Sequence, residues 1–106
     1  MTEKMSKQEK LAINVLTDIL VYEVEGWQNG LDDGEIEAEE YNEAVSDENL
    51  DDFAQGALTD AYKDGYLASP ISRVAIEAKH LKFLGKKKLI EIKNKAIVKA
   101  KETCQL

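Results

Sequence analysis

Cysteine, histidine and proline each occur only once in this sequence of 106 residues. A lone Cys104 excludes an internal disulfide and a multi-cysteine zinc site, and a lone His80 leaves no second histidine for a metal centre. Apolar residues are too interrupted for a membrane span, because amide and acidic residues break the most apolar stretch, Leu11–Val24. We therefore expect a soluble cytoplasmic protein, a single domain over residues 1–106, with no signal peptide.

Charge is abundant and unevenly distributed. The chain has 21 acidic and 14 basic residues, which gives a formal net charge of −7. Residues 18–64, the acidic segment, contain 16 acidic residues and one basic residue. Residues 70–106, the basic segment, contain ten basic and three acidic residues. Such asymmetry bears on association and the choice of partners rather than on the fold.

Local signals predict where the first helix begins and ends. Ser6 and Glu9 form a capping-box pattern, in which the Ser6 hydroxyl accepts the backbone N–H of Glu9. Apolar residues recur at helical spacing through the stretch that follows, and Gly26 is placed to end the helix in a left-handed conformation. Residues 27–34, which are rich in glycine and aspartate, are predicted to form a loop.

Two helices are predicted within the acidic segment. Asp32 or Asp33 would cap a short helix that runs through Val45. Ser46 or Asp47 would cap the next helix, which carries the clearest amphipathic pattern of the chain. Seven apolar residues follow one another there at unbroken helical spacing: Leu50, Phe53, Ala54, Ala57, Leu58, Ala61 and Tyr62.

Helix signals continue to the end of the chain. Gly65 would end the amphipathic helix, Ser69-Pro70 would start another, and Gly85 would end that one. Residues 86–103 fit a helix but also fit two strands paired around Asn94. We favour the helix because alanine, lysine and glutamate are abundant and the alternative turn lacks glycine. The predicted fold is all-α, a compact bundle of about five helices, with a short β-hairpin replacing the last helix as the alternative.

One segment within the acidic region resembles a calcium-binding loop. Residues Asn29–Glu40 resemble an EF-hand loop, with Gly34 at the sixth place and Glu40 at the twelfth. Asn29 stands where the family has aspartate, and Leu31 offers no side-chain oxygen at the third place. The resemblance implies a degenerate calcium site, whereas the pattern itself favours a glycine turn followed by an acidic helix.

No arrangement of residues in the sequence indicates catalysis. His80 lies four residues from both Ile76 and Leu84, which is typical of a histidine at the edge of an apolar helix face. No positioned nucleophile accompanies it, and no phosphate-binding loop is present. We expect no enzymatic activity, no cofactor and no metal requirement.

The carboxylates of the acidic segment are the most distinctive feature of the sequence. An acidic surface speeds encounter with a basic partner and selects among partners, although many acidic faces are simply solvated. In size and acidity the chain resembles DNA-mimic proteins and small phage-encoded inhibitors such as anti-CRISPR proteins, which implies a partner that handles nucleic acid. The predicted binding residues combine acidic and aromatic side chains: Trp27, Glu37, Glu39, Glu40, Tyr41, Glu43, Asp47, Glu48, Asp51 and Asp52.

The lysine-rich basic segment supports other interpretations. Its lysines could bind nucleic-acid phosphates, although Arg73 is the only arginine and sequence-specific base contacts favour arginine. They could equally face the protein's own carboxylates, and opposite ends of two copies could attract to form a homodimer. We therefore predict a non-catalytic protein-binding module or inhibitor with a basic partner. Nucleic-acid binding by the basic segment and a degenerate EF-hand-like calcium-binding protein are the alternatives, and no membrane partner is expected.

Overall fold

The computed structural model describes residues 6–106, which form five helices and one two-stranded antiparallel sheet. The all-α prediction of about five helices is therefore confirmed, and the hairpin lies in the middle of the chain instead of replacing the last helix. The elements in chain order are α1 (Lys7–Asp32), α2 (Ala38–Ala44), α3 (Asp47–Asp64), β1 (Tyr66–Ala68), β2 (Ala75–Glu77), α4 (Ala78–Leu84) and α5 (Lys86–Thr103).

Helix α1 begins where the sequence predicts and ends later. The Ser6 hydroxyl accepts the Glu9 backbone N–H at 3.1 Å, as the capping pattern requires. The helix continues through Gly26, and the glycine in the left-handed conformation after its end is Gly34, with φ 77°. The predicted end at Gly26 and the predicted loop are therefore wrong. Trp27 packs against the hydrophobic core, and this burial offsets the low helix propensity of the neighbouring glycine.

Helices α2 and α3 follow the end of α1 with short connections. Helix α2 begins after Glu37 and has no side-chain cap, because the predicted capping aspartates belong to the end of α1. Helix α3 begins as predicted, with the Ser46 hydroxyl accepting the Asn49 backbone N–H at 3.4 Å. It ends at Gly65, whose φ of 91° is left-handed. Its buried residues are Leu50, Ala54, Leu58 and Ala61.

A β-hairpin occupies the place where Ser69-Pro70 predicts a helix. The Ser69 hydroxyl accepts the backbone N–H groups of Ile71 at 3.0 Å and Ser72 at 2.9 Å, which builds a turn. It also donates to the Asp18 carboxylate of α1 at 2.8 Å. This partner lies 51 residues away in sequence, so local pattern could not reveal it. The prediction of a helix start is wrong, and α4 begins only at Ala78.

Helix α5 is confirmed over the segment for which the sequence left a hairpin as the alternative. Its buried residues pack against α1 and α3: Ile92, Ala96, Ile97 and Ala100. Glu9 of α1 approaches Lys88 of α5 at 3.8 Å. Further along both helices, the Gln28 amide contacts the Cys104 carbonyl oxygen at 3.5 Å. Helices α1 and α5 therefore run parallel.

Helix α3 runs antiparallel to α5. Lys101 near the end of α5 pairs with Asp47 at the start of α3, and Lys93 pairs with Asp51 at 3.2 Å. Since α1 and α5 are parallel, the last turns of α1, helix α2 and the first turns of α3 lie at one end of the molecule. We call this the acidic end, because most of the acidic segment is gathered there.

Two glycines of the α3 region should respond to alanine with opposite signs. Gly56 lies inside α3 with no heavy atom within 4 Å of an added Cβ, so G56A should stabilise the protein by about 1 kcal/mol through helix propensity. Gly65 is left-handed, so G65A should destabilise it by about 1 to 2 kcal/mol. Urea unfolding with an unchanged m-value measures both changes. Effects of the same sign would contradict the assigned conformations.

Candidate functional site

The exposed carboxylates of α2 and the start of α3 form the most extensive charged surface at the acidic end. Helix α2 has no fully buried residue, and its three glutamate side chains are exposed to solvent. Among residues 6–106, no lysine or arginine forms an ion pair with the six exposed carboxylates that we call the acidic surface: Glu37, Glu39, Glu40, Glu43, Glu48 and Asp52. These six were all predicted as binding residues.

Two of the predicted binding residues are neutralised within the protein. Asp47 pairs with Lys101, and Asp51 pairs with Lys93, whose ammonium also donates to Gln55 at 3.3 Å. These pairs join α3 to α5, so part of the basic segment does face the protein's own carboxylates. These two carboxylates lie beside the acidic surface, whose six members stay uncompensated within the described residues.

The two aromatic residues predicted as binding anchors are half-buried. The Trp27 indole N–H donates to the Glu23 carboxylate at 2.9 Å, and the Tyr41 hydroxyl accepts the Gln28 amide N–H at 3.2 Å. Both rings pack against the hydrophobic core. Tyr41 therefore attaches α2 to α1, and Trp27 leaves only part of its ring accessible to a partner.

A cleft beside Trp27 contains residues that the sequence did not single out. It has a volume of about 310 Å³ and lies between the last turns of α1 and residues 35–36. Tyr22, which is 60% exposed, and Trp27 supply aromatic walls, and Glu23 and Glu35 supply carboxylates. In the sequence, the cleft could have been recognised from the four-residue spacing of Gly26 and Gly30, because this spacing places both glycines on one face of a helix.

The segment that resembles an EF-hand loop is partly helical. Asn29 to Asp32 belong to α1, so the first four of its twelve places do not form a loop. Leu31, at the third place, is half-buried. Over residues 6–106 no group of three or more histidine, cysteine, aspartate or glutamate side chains is arranged to hold a metal ion.

The lysines of the basic segment are spread over α4 and α5, and Arg73 lies in the turn between β1 and β2. Lys79 pairs with Glu77 at 3.0 Å, and this contact lowers the pKa of the Glu77 carboxyl. The Lys82 ammonium lies 5.7 Å from the centre of the Tyr62 ring. The neighbouring Phe83 is 90% exposed. The basic segment therefore carries an exposed aromatic ring next to its lysines in the sequence.

The only histidine and the only cysteine of the chain lie in different parts of the fold. His80 is half-buried on α4, and Cys104 follows the end of α5. Burial and, to a lesser extent, the negative charge of Glu25 raise the pKa of the Cys104 thiol, which disfavours the reactive thiolate. A search of the helices within residues 6–106 for a membrane-spanning segment found none.

Comparison with known proteins found no match to this chain among protein-family models, curated proteins or solved structures. Function must therefore be inferred from the chemistry of its own surface. The surface offers uncompensated carboxylates at the acidic end and lysines that are spread along the whole of α4 and α5.

Alkylation of Cys104 should be slow in the folded protein. At about pH 8 the raised pKa leaves less thiolate than in the unfolded chain, so iodoacetamide should react severalfold more slowly before than after unfolding in guanidinium. E25Q removes a negative charge near the thiol, which should lower its pKa and speed the reaction, whereas E39Q should not. Equal alkylation rates for the folded and the unfolded protein would show that the fold does not raise the pKa of the Cys104 thiol.

Salt should stabilise the protein. Raising the ionic strength from about 0.01 to 0.15 M shortens the Debye length from about 30 to 8 Å, which screens repulsion among the carboxylates of the acidic end. The melting temperature should therefore rise, and the rise should be smaller in the variant E39Q/E40Q/E43Q. A melting temperature that falls with salt would show that intramolecular ion pairs outweigh this repulsion.

Proposed function

We propose that this protein is a non-catalytic binding module, of the phage-inhibitor or DNA-mimic type, whose partner is a basic protein that handles nucleic acid. The acidic surface is the feature of the molecule that supports this role. Its six carboxylates are exposed and have no ion-pair partner among residues 6–106. A surface of one charge sign accelerates encounter with a surface of the opposite sign and rejects partners of like charge.

The fixed position of α2 supports this role. Val45 is buried at the end of the helix, and Tyr41 is hydrogen-bonded to Gln28 of α1. The Glu43 carbonyl oxygen accepts from the Ser46 hydroxyl at 2.7 Å and also from the Asn49 amide. These contacts hold α2 against α1 and α3 before any partner arrives. A preorganised surface loses less conformational entropy on binding than a disordered acidic segment would.

A nucleic-acid-binding protein is the partner whose chemistry fits best. Such proteins gather lysine and arginine to neutralise phosphates, so their binding surfaces are more basic than ordinary protein surfaces. Carboxylates on a rigid helix can occupy those cations in place of phosphates. The protein would then compete directly with nucleic acid for the partner, which is the action of a DNA mimic.

Binding of nucleic acid by the basic segment is the second candidate function, and the exposure of Phe83 beside Lys82 favours it. Overall charge opposes it, because a molecule of net charge −7 is repelled by a polyanion. A gel-shift assay at physiological salt distinguishes the candidates. Retention of DNA or RNA that weakens steeply with salt and requires Phe83 would favour the basic segment over the acidic surface.

Charge reversal on α2 tests the proposed function. Immobilised protein should capture a basic, nucleic-acid-binding protein from a cell extract, and added duplex DNA should displace that protein. The variant E39K/E40K/E43K should lose capture, because it reverses three adjacent uncompensated charges. E39Q/E40Q/E43Q should weaken it without placing lysines in the first turn of α2, where they would oppose the helix dipole.

A charge-matched variant provides the control. D60K/D64K/E91K changes the net charge by the same amount but alters exposed residues of α3 and α5 away from the acidic surface. It should retain capture, and circular dichroism should show helical folds for all variants. If both triple reversals abolish capture equally, net charge alone explains binding and the proposed surface is wrong. Unchanged capture by E39K/E40K/E43K would also reject it.

A further inference from the structure

The cleft beside Trp27 is lined by aromatic, glycine and acidic residues, none of which belongs to the acidic surface. Its opening lies on the same end of the molecule as α2, and its wall includes Glu35 and Ile36 from the turn that leads into that helix. With a volume of about 310 Å³ it can hold one large side chain but not a whole domain. Its size matches a single side chain of a partner.

The floor of the cleft is helix backbone. Gly26 and Gly30 lie one above the other on the cleft face of α1, and an added Cβ at Gly26 would meet no heavy atom within 4 Å. At Gly30 an added Cβ would lie 3.6 Å from the Ile36 side chain. Glycine weakens a helix relative to alanine, so packing inside the protein gives no reason for glycine at position 26. At this position the backbone of α1 is open to the cleft.

One of the two aromatic rings that line the cleft, that of Trp27, is held in a fixed orientation. The hydrogen bond from the Trp27 indole N–H to the Glu23 Oε1 atom restrains the ring, which packs against the core on one side. Tyr22 is 60% exposed and stands one helical turn before Gly26. Two partly accessible rings beside an open floor offer electron-rich faces, which attract cations.

The charge of the cleft is entirely negative. Glu23 and Glu35 line it, and none of the described residues that line it is lysine or arginine. The bond to Trp27 occupies Oε1 of Glu23, and Oε2 has no hydrogen-bond partner within residues 6–106. Aromatic faces beside carboxylate oxygens match a guanidinium, which stacks on rings and donates two parallel hydrogen bonds to a carboxylate.

We infer that this cleft receives an arginine side chain of the basic partner. The inference rests on the proposed function, because it assigns an anchor to the same interface. The acidic surface of α2 would attract the partner at long range, and the cleft would fix one of its arginines. Buried anchors of this kind contribute more to affinity than charges at the rim of an interface.

Nuclear magnetic resonance can test the cleft without knowledge of the partner. Trp27 is the only tryptophan, so its indole N–H gives a single assignable signal. Titration with N-acetyl-arginine amide should shift this signal saturably, with a dissociation constant in the millimolar range. N-acetyl-citrulline amide has nearly the same shape without the charge and should produce no saturable shift.

Two substitutions should abolish or weaken the response. G26L places a side chain on the open floor of the cleft and should remove the shift, and E35Q should weaken binding by about threefold or more through loss of one negative charge. G56L is the matched control, because Gly56 is also a helical glycine with no heavy atom within 4 Å of an added Cβ. Both leucine variants should keep or increase thermal stability, since leucine is a better helix former.

The results separate this inference from the proposed function. If G26L captures the partner as well as wild type and the arginine probe leaves the indole signal unchanged, the arginine pocket is rejected while the acidic surface stands. If the probe binds the cleft but E39K/E40K/E43K still captures the partner, the pocket stands and the acidic surface is rejected. An equal response to the citrulline compound would show that the cleft does not select a cation.

Discussion

Burial of the apolar face of α1 against α5 and α3 is the interaction on which the rest of the structure depends. Leu16 and Leu20 of α1 are fully buried, as are Leu50 of α3 and Ile92 of α5. Removing a side chain of this kind from a core costs about 2 to 5 kcal/mol, a large fraction of the stability of a small domain. The same packing sets α1 parallel to α5, so it also decides which charged segments become neighbours.

The gathering of negative charge at one end follows from that arrangement. Helix α1 ends there, α2 lies against it, and α3 starts there. Repulsion among these carboxylates is relieved only in part, through the contacts of Asp47 and Asp51 with lysines of α5. A protein that keeps such a concentration of like charge gives up some stability, and binding of a cationic partner would recover it.

Local sequence signals succeeded where the determining contacts are local. Ser6 and Ser46 start helices because a hydroxyl satisfies a nearby backbone N–H, and Gly65 ends one because it can adopt positive φ. They failed where contacts with residues far away in the sequence decide the outcome, such as the packing of Trp27 against the core and the bond between Ser69 and Asp18. Gly26 remains helical beside the packed ring of Trp27, and the turn at Ser69 depends on a hydrogen bond to Asp18 of α1.

Residue order alone was enough to predict a helical chain, its division into an acidic and a basic segment, and the residues at which several helices begin and end. These properties depend on residue type and on neighbours within a few positions. The packed helices were needed to see which carboxylates are paired, where the hairpin forms, and that two glycines and two aromatic rings line one cleft. Ion pairing, burial and cleft formation join side chains from different elements, and such distances are fixed only when the helices pack.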